Sequence, residues 1–266
     1  MIKLIASDLD GTLLLNGSQV LPEGICAQIR ELKKYGVLFV AASGRQYANL
    51  QRLFASVKDE IAYICENGCL AFCDGKMIHK ERMDRQMGQE ILQSIMEKDT
   101  AEALLSGENT SYIQPKTEHY EYWMKEVVKN NVTVVEDILA TEEEYFKISL
   151  YEQKGIGESQ NYWKEKFGDK VTVVTSGNEW LDMMPFSVNK GTALQVMLEY
   201  LHILPEECIA FGDNYNDVEM LQVAGTSYAM DTAQPGIGEI CDHHTDTVGH
   251  ALEKILEELR RENTNE

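Results

Sequence analysis

The chain has 266 residues, with 44 acidic against 24 basic side chains and a formal charge of −20. That length accommodates one large or two ordinary domains with a substantial core. The charge works against nucleic acid and anionic membranes as partners, so a site that handles phosphate needs its own local cations. No apolar run approaches the roughly 20 residues that cross a bilayer, and a strand starting at residue 2 leaves no room for a leader. Six cysteines scattered at 26, 65, 69, 73, 208 and 241 suit reduced thiols better than a disulfide framework. A cytoplasmic protein is expected.

Ile2 to Ala6 reads as a buried strand running straight into Ser7-Asp8-Leu9-Asp10-Gly11-Thr12. Two carboxylates spaced two apart, at the carboxyl end of such a strand, stand where open α/β sheets place their chemistry. Gly11 permits a sharp turn, and the Thr12 hydroxyl can brace a carboxylate. Alone, the stretch also suits an Asx-rich turn. Pro22 is placed to open a helix with Ile25, Ile29 and Leu32 on one face, ending before Gly36. Val37 to Ala42 is a second strand. It ends in Ser43-Gly44-Arg45, at the start of a helix carrying Leu50, Leu53 and Phe54. Unpaired amides at that point can receive an anion, although a Ser-Gly pair serves equally as a plain cap. Strand, helix, strand, helix is the grammar of a parallel sheet.

Ile61 to Cys65 reads as another strand. Glu66-Asn67-Gly68 turns the chain into Cys69 to Cys73, with Asp74-Gly75 as a second hairpin signal. From Met83 the texture becomes polar and charge-mixed. Helices are expected near 86–98, 118–130 and 159–167, with strands at 131–135, 145–151 and 171–175. Residues 83–184 are therefore expected to form an α+β domain inserted into a core made of 1–82 and 185–266. The parallel grammar resumes with a helix over 190–202 and a strand over 207–211. Gly212-Asp213-Asn214-Tyr215-Asn216-Asp217 then leads into a helix. A short strand at 226–230 follows, and a helix over 247–260, striped with Ala251, Leu252, Ile255, Leu256 and Leu259, precedes a polar tail.

If the strand at 207–211 lies beside the first, Asp213 joins Asp8 and Asp10 and three carboxylates crowd one crevice. Like charges so close raise a pKa or recruit a cation. A hard divalent ion with oxygen ligands, Mg²⁺ foremost, resolves the conflict, while a helix-capping turn is the plain alternative. Lys190-Gly191-Thr192 puts a lysine at a helix start, against the dipole, which a nearby anion would offset. A surface lysine is the alternative there. Cys65, Cys69 and Cys73 read as core or hairpin residues. Cys241-Asp242-His243-His244 lacks a second ligand cluster for a soft metal, and Trp123, Trp163 and Trp180 read as packing residues.

In this order and at these strand ends, Asp8-Leu9-Asp10-Gly11-Thr12, Ser43-Gly44-Arg45, Lys190-Gly191 and Gly212-Asp213 to Asp217 resemble the four motifs of the haloacid dehalogenase (HAD) superfamily. The insert resembles the α/β cap of its Cof-type sugar-phosphatase subfamily, and Glu66-Asn67-Gly68 matches a turn common there. The resemblance covers essentially the whole chain. It implies a Rossmann-like parallel core with an inserted cap, and a Mg²⁺-dependent phosphatase acting on small phosphomonoesters. Asp8 would be the nucleophile that becomes an aspartyl phosphate, and Asp10 the general acid and then base. Asp8, the Asp10 main-chain carbonyl and Asp213 would hold Mg²⁺. The Leu9 and Gly44 amides, Ser43, Lys190 and Asn216 would steady the phosphoryl oxygens, with Thr12 and Asp217 in support. Ser-Gly-Arg stands where Thr-Gly-Arg is frequent in the subfamily, which keeps the hydroxyl. Tyr112, His119, Tyr122 and Trp123 are candidates for the leaving-group pocket.

A small-molecule phosphate ester is the expected partner, with no nucleic acid or membrane, for a monomer or small homo-oligomer. Phosphoryl transfer to a sugar acceptor, as in a mutase, is an alternative within the same chemistry. A non-catalytic phospho-acceptor module is the alternative of another class, although a base at Asp10 would shorten the life of an acyl phosphate. A dinucleotide-binding oxidoreductase would need Gly-x-Gly-x-x-Gly after the first strand, which is absent.

Overall fold

The computed structural model describes residues 1–108 and 110–264. The chain divides into two compact units, Met1–His79 with Asn189–Glu266, and Lys80–Val188 between them. In chain order the first part of the discontinuous unit runs β1 (Leu4–Asp8), α1 (Ile25–Lys34), β2 (Leu38–Ala42), α2 (Tyr47–Leu53), β3 (Ala62–Cys65), β4 (Leu70–Cys73) and β5 (Lys76–Lys80). The inserted unit carries α3 (Arg85–Met96), β6 (Glu102–Ser106), β7 (Ser111–Ile113), α4 (Glu118–Tyr122), β8 (Val132–Val134), β9 (Lys147–Tyr151), α5 (Gln160–Phe167), β10 (Thr172–Thr175) and β11 (Trp180–Met184). The discontinuous unit then closes with α6 (Lys190–Leu201), β12 (Cys208–Gly212), α7 (Val218–Val223), β13 (Thr226–Met230), β14 (His243–Thr245) and α8 (Val248–Thr264).

The first unit is an eight-stranded sheet in the order β14-β13-β12-β1-β2-β3-β4-β5. From β14 to β3 neighbouring strands run parallel, and β4 turns back antiparallel on β3. Continuous apolar runs such as Leu4 to Ala6 and Val40 to Ala42 fit such a sheet because both of its faces are covered. On one face Leu4, Ala6, Val40, Ala42 and Ile64 pack with Ala193, Leu194 and Met197 of α6 and Met220 and Leu221 of α7. On the other, the Phe39 ring meets Phe54 at 6.2 Å, and α1 ties to α8 through Gln28 Nε2 donating to Gly249 O at 3.0 Å. After β1 the chain builds outward through β2 and β3, and it later returns to the opposite side of β1 with β12. The order therefore reverses at β1, and the carboxyl ends of β1, β2 and β12 meet where such sheets bind ligands.

The inserted unit is built on a six-stranded, mainly antiparallel sheet, β10-β11-β9-β6-β7-β8, with only β7 and β8 parallel. Strand alternation sends Ala103, Leu105, Ile148, Leu150, Leu181 and Met183 to one face, under α3 and α5 with the buried Trp163. Leu104, Ile113 and Tyr151 point to the other, against Tyr120 and Met124. That second face also buries a polar set in which Lys147 pairs with Asp182 at 3.3 Å and Ser149 donates to it at 2.6 Å.

Several local expectations need correction. Pro22 does not open α1: residues 23 and 24 form a turn, Gly24 is left-handed at φ 87°, and the helix starts at Ile25. The helix expected over 118–130 is α4 followed by a π-helical segment, Trp123–Val127. Strands β6 and β11, which flank β9 on either side in the inserted sheet, carry no strand signal in the reading above. Glu102 and Asp182 break their apolar pattern, and both are buried through hydrogen bonds, Glu102 to the Lys116 amide and Thr117, Asp182 to Ser149. No described helix is long and apolar enough to cross a membrane.

Candidate active site

Asp8 is the last residue of β1, paired in register with Ala42 of β2, and Ser7 before it pairs with Phe211 of β12. Those registers bring Ser43 and Asp213, which follow the neighbouring strand ends, to the same edge as Asp8. After Asp8 the chain folds back on itself, with the Leu9 carbonyl accepting from the Thr12 and Leu14 amides at 3.2 and 2.7 Å. Gly11 makes that loop possible. Its φ is +99°, and a Cβ there would stand 2.3 Å from Asp213 Oδ2, so no side chain fits between the loop and the carboxylate. Thr12 Oγ1 donates to Asp213 Oδ1 at 2.8 Å, the bracing role its position suggested.

Helix α6 delivers the cation. Asn189 caps it, accepting from the Thr192 amide at 2.8 Å while Thr192 Oγ1 accepts from the Asn189 amide at 3.2 Å, and that reciprocal cap fixes Lys190 at the first helical position. Lys190 is wholly buried, which disposes of the surface-lysine alternative. Its ammonium donates to Asp8 Oδ1 and, at 2.6 Å, to Asp217 Oδ1. The other Asp217 oxygen accepts from the Asp213 and Asn214 amides at 3.0 and 3.1 Å. Asp217 is thereby fully engaged in holding Lys190 and the loop after β12.

Among the described residues, Asp8, Asp213 and Asp217 form the one group of three metal-capable side chains whose ligand atoms lie within 4.8 Å of one another. This corrects the expectation that Asp8, Asp10 and Asp213 would crowd together. β1 ends at Asp8, so the side-chain alternation that would carry Asp10 to the same side stops there. The Asp10 side chain instead stays half exposed, held by a two-pronged ion pair with the Arg45 guanidinium, Nε at 2.9 Å from Oδ2 and Nη2 on Oδ1. Burial pushes the Asp8 carboxyl well above the usual carboxylate range. Asp217 and Asp213 push the same way, and only Lys190 opposes them. Asp213 is raised for like reasons, burial first and then Asp217. Burial works against the Lys190 charge, yet Asp217 and Asp8 outweigh it and raise its pKa.

The donor set fits a hard divalent cation. Asp8 Oδ2 is buried with no hydrogen-bond partner, Asp8 groups with Asp213 and Asp217, and every donor is an oxygen. Asp8, Asp213, Asp217, Thr12 and Lys190 thus come together. Ser43 is buried at the end of β2, its hydroxyl accepting from the Arg45 amide at 3.2 Å, and Gly44 follows it. Asn216 reaches across to Asn67, its Nδ2 donating to Oδ1 at 3.2 Å.

Two participants were missed by sequence reasoning. In the sequence Arg45 stands out only as part of a motif, and Asn67 only as part of a turn. The cap candidates do not share one pocket. Tyr112 packs with the cluster under α3 and α5, while Trp123, stacked with His119 at 6.1 Å, packs on the opposite face of that sheet, and Tyr122 is exposed. An open groove of about 650 Å³ in the inserted unit is lined by Tyr112, Glu136, Asp137, Glu142 and Glu143, whose charges would repel a phosphate.

The sequence model of the haloacid dehalogenase-like hydrolases matches residues 5–251. The chain belongs to the haloacid dehalogenase-like hydrolase family. Within this family it is similar to the 5-amino-6-(5-phospho-D-ribitylamino)uracil phosphatase of Escherichia coli (strain K12), with 30% identity over 233 residues, 87% of this chain and 86% of that one. It is also similar to the HMP-PP phosphatase of Serratia proteamaculans (strain 568), with 26% identity over 270 residues, 96% of this chain and 93% of that one. A solved haloacid dehalogenase-like hydrolase from B. subtilis superposes with a TM-score of 0.83 at 20% identity, covering 95% of this chain and 99% of that one, a likeness that speaks to the fold alone. The chain is a haloacid dehalogenase-type phosphatase, a phosphoric monoester hydrolase.

Proposed function

We propose that this phosphatase hydrolyses small phosphomonoesters, sugar phosphates or metabolites like them, with Mg²⁺ bound and through an aspartyl phosphate on Asp8. The observation that carries the reading is the asymmetry of Asp8, which groups with Asp213: Oδ1 is anchored by Lys190, while Oδ2 is buried and meets no donor. A carboxylate held by one oxygen and open at the other suits in-line attack on phosphorus. Asp8, Asp213 and the Asp10 main-chain carbonyl would hold the ion, which when bound offsets the charge of phosphate and carboxylates.

In the first half-reaction an Asp8 oxygen attacks phosphorus and the P–O bond to the leaving alcohol breaks, with Asp10 giving that oxygen its proton. In the second, water attacks phosphorus, Asp10 takes the water's proton, and the bond to Asp8 breaks to release phosphate. Lys190, Ser43, Asn216 and the Leu9 and Gly44 amides steady the phosphoryl oxygens throughout, so catalysis is mostly positioning and charge stabilisation. Arg45 holds the Asp10 side chain in place between the two proton transfers. The inserted Lys80–Val188 unit takes the role of a cap that selects the leaving group.

The test is phosphate release from a panel of sugar phosphates, nucleotides and cofactor phosphates, with Mg²⁺ or chelator, for the wild type and Asp8→Asn. Release that needs both the metal and Asp8 is expected. Uptake of phosphate on Asp8 from a small donor with no release would sink hydrolysis in favour of transfer or signalling.

A further inference from the structure

Glu66, Asn67 and Gly68 occupy the left-handed region in succession, at φ 52°, 56° and 107°. Gly and Asn tolerate that region, but Glu has no local reason to adopt it. Nor is the turn a solvated loop, because Glu66 is 2% and Asn67 1% exposed. Such backbone persists where the surroundings over-determine it, and it gathers at functional sites.

The surroundings here are the phosphate-handling segments. The Glu66 amide donates to Arg45 O at 3.1 Å and the Asn67 amide to Ser43 O at 3.0 Å, so two successive amides hold both ends of the Ser43-Gly44-Arg45 loop. The Asn67 side chain receives Asn216 Nδ2 at 3.2 Å and lies against Gly44, where a Cβ would stand 3.1 Å from Asn67 Oδ1. Gly68 meets the third segment. A Cβ on it would be 2.2 Å from Asn189 O, in the residue that caps α6 just before Lys190. One turn of three residues thus touches the loop after β2, the loop after β12 and the start of α6. Those three segments come from parts of the chain that share no sequence neighbourhood.

The geometry points to Asn67 as a positioning residue: its backbone amide and side-chain carbonyl set Ser43, Gly44 and Asn216 in the arrangement that receives the phosphoryl oxygens. This rests on the phosphatase reading proposed above. A turn that merely shaped the hairpin would affect stability and leave phosphate affinity alone. The test is calorimetric titration with inorganic phosphate in the presence of Mg²⁺, together with steady-state hydrolysis of p-nitrophenyl phosphate. The variants are Asn67→Gly, Asn216→Ala and the double. Glycine keeps the left-handed conformation and deletes only the side chain, so the fold is not put at risk.

Asn67→Gly is expected to weaken phosphate and raise KM about tenfold, the scale of one hydrogen bond in a charged network, with a melting temperature close to the wild type's. Asn216→Ala should do much the same, and the double variant little more, because the two side chains act as one unit. Wild-type phosphate affinity and KM in Asn67→Gly, or two effects that add in full, would overturn the assignment. A wild type that neither binds phosphate nor hydrolyses the ester brings down the phosphatase reading, and this one with it.

Discussion

Lys190 carries its charge in a fully buried position because carboxylates flank it on two sides. Replacing it by Met keeps the length of the side chain but leaves Asp8 and Asp217 facing each other with no cation between them. Removing one partner from a buried pair costs about 3–5 kcal/mol, so Lys190→Met should both lose turnover and melt well below the wild type in chelator. Differential scanning calorimetry checks it, and an unchanged melting temperature would show that the two carboxylates do not need the ammonium. At this scale much of the site was legible. Asp8, Ser43, Lys190 and Asp213 each stand at a strand end or helix start, where spacing and composition single them out. Asn67 and Arg45 were not legible as site residues. Their roles depend on which loop meets which, and Asn67 finds Asn216 across 149 positions of sequence. Asp217 was legible only as a supporting residue, and the Asp10 side chain was misplaced for a related reason: an Asp-x-Asp spacing predicts a shared side only while the strand continues, and β1 stops at Asp8.

Element boundaries show a different limit. The parallel core was readable because its strands are short apolar runs and its helices carry single apolar faces. In the inserted unit the pattern breaks down where polar residues are buried with partners, as at Glu102 and Asp182. The helix from Glu118 has the right period but shifts to π spacing at Trp123, and periodicity does not specify ring size. The end of α3 illustrates how distant residues finish an element. The Lys116 ammonium donates to the carbonyls of Ile95 in α3 and of Lys98 and Ala101 just after it, at 2.9, 2.8 and 2.8 Å, adding a second bond to Ile95 and Lys98, which also accept the amides of Lys98 and Ala101, and complementing the negative end of the dipole. Burial lowers the Lys116 pKa, with Glu102 and Asp99 opposing, so the bonds are made at a desolvation cost. Lys116→Met should destabilise the protein by about 1–3 kcal/mol, the scale of losing hydrogen bonds from a charged group. Its kcat and KM at room temperature should be those of the wild type, since Lys116 has no part in the chemistry. A melt that matches the wild type would mean that water replaces the ammonium without loss.

For the whole molecule, the carboxylates of the site are part of a formal charge of −20. The Asp8 carboxyl is raised above its unfolded value by burial and by Asp217 and Asp213, so the folded chain holds that proton more tightly than the unfolded one. The stability this confers is complete below the unfolded carboxylate range and is lost as pH rises through the higher folded pKa. In chelator the melting temperature should therefore fall as pH rises from the unfolded carboxylate range through the raised Asp8 value, beyond what general charge repulsion gives. Asp8→Asn removes the more strongly raised of the two acids, Asp213 being the other, so it should reduce that fall and melt above the wild type at neutral pH while being inactive. Mg²⁺ acts in the opposite sense, because it competes with the proton and binds only the folded site. At a hundredfold excess over its dissociation constant a ligand adds about 2.7 kcal/mol, or several degrees for a domain of this size. The Mg²⁺-induced rise should grow with pH in the wild type and shrink in Asp8→Asn. Thermal melts across that range, with and without Mg²⁺, read both variables at once. A wild type whose Mg²⁺ shift is flat with pH, or an Asp8→Asn variant that melts below it in chelator, would mean that Asp8 is not the strained acid of the cluster.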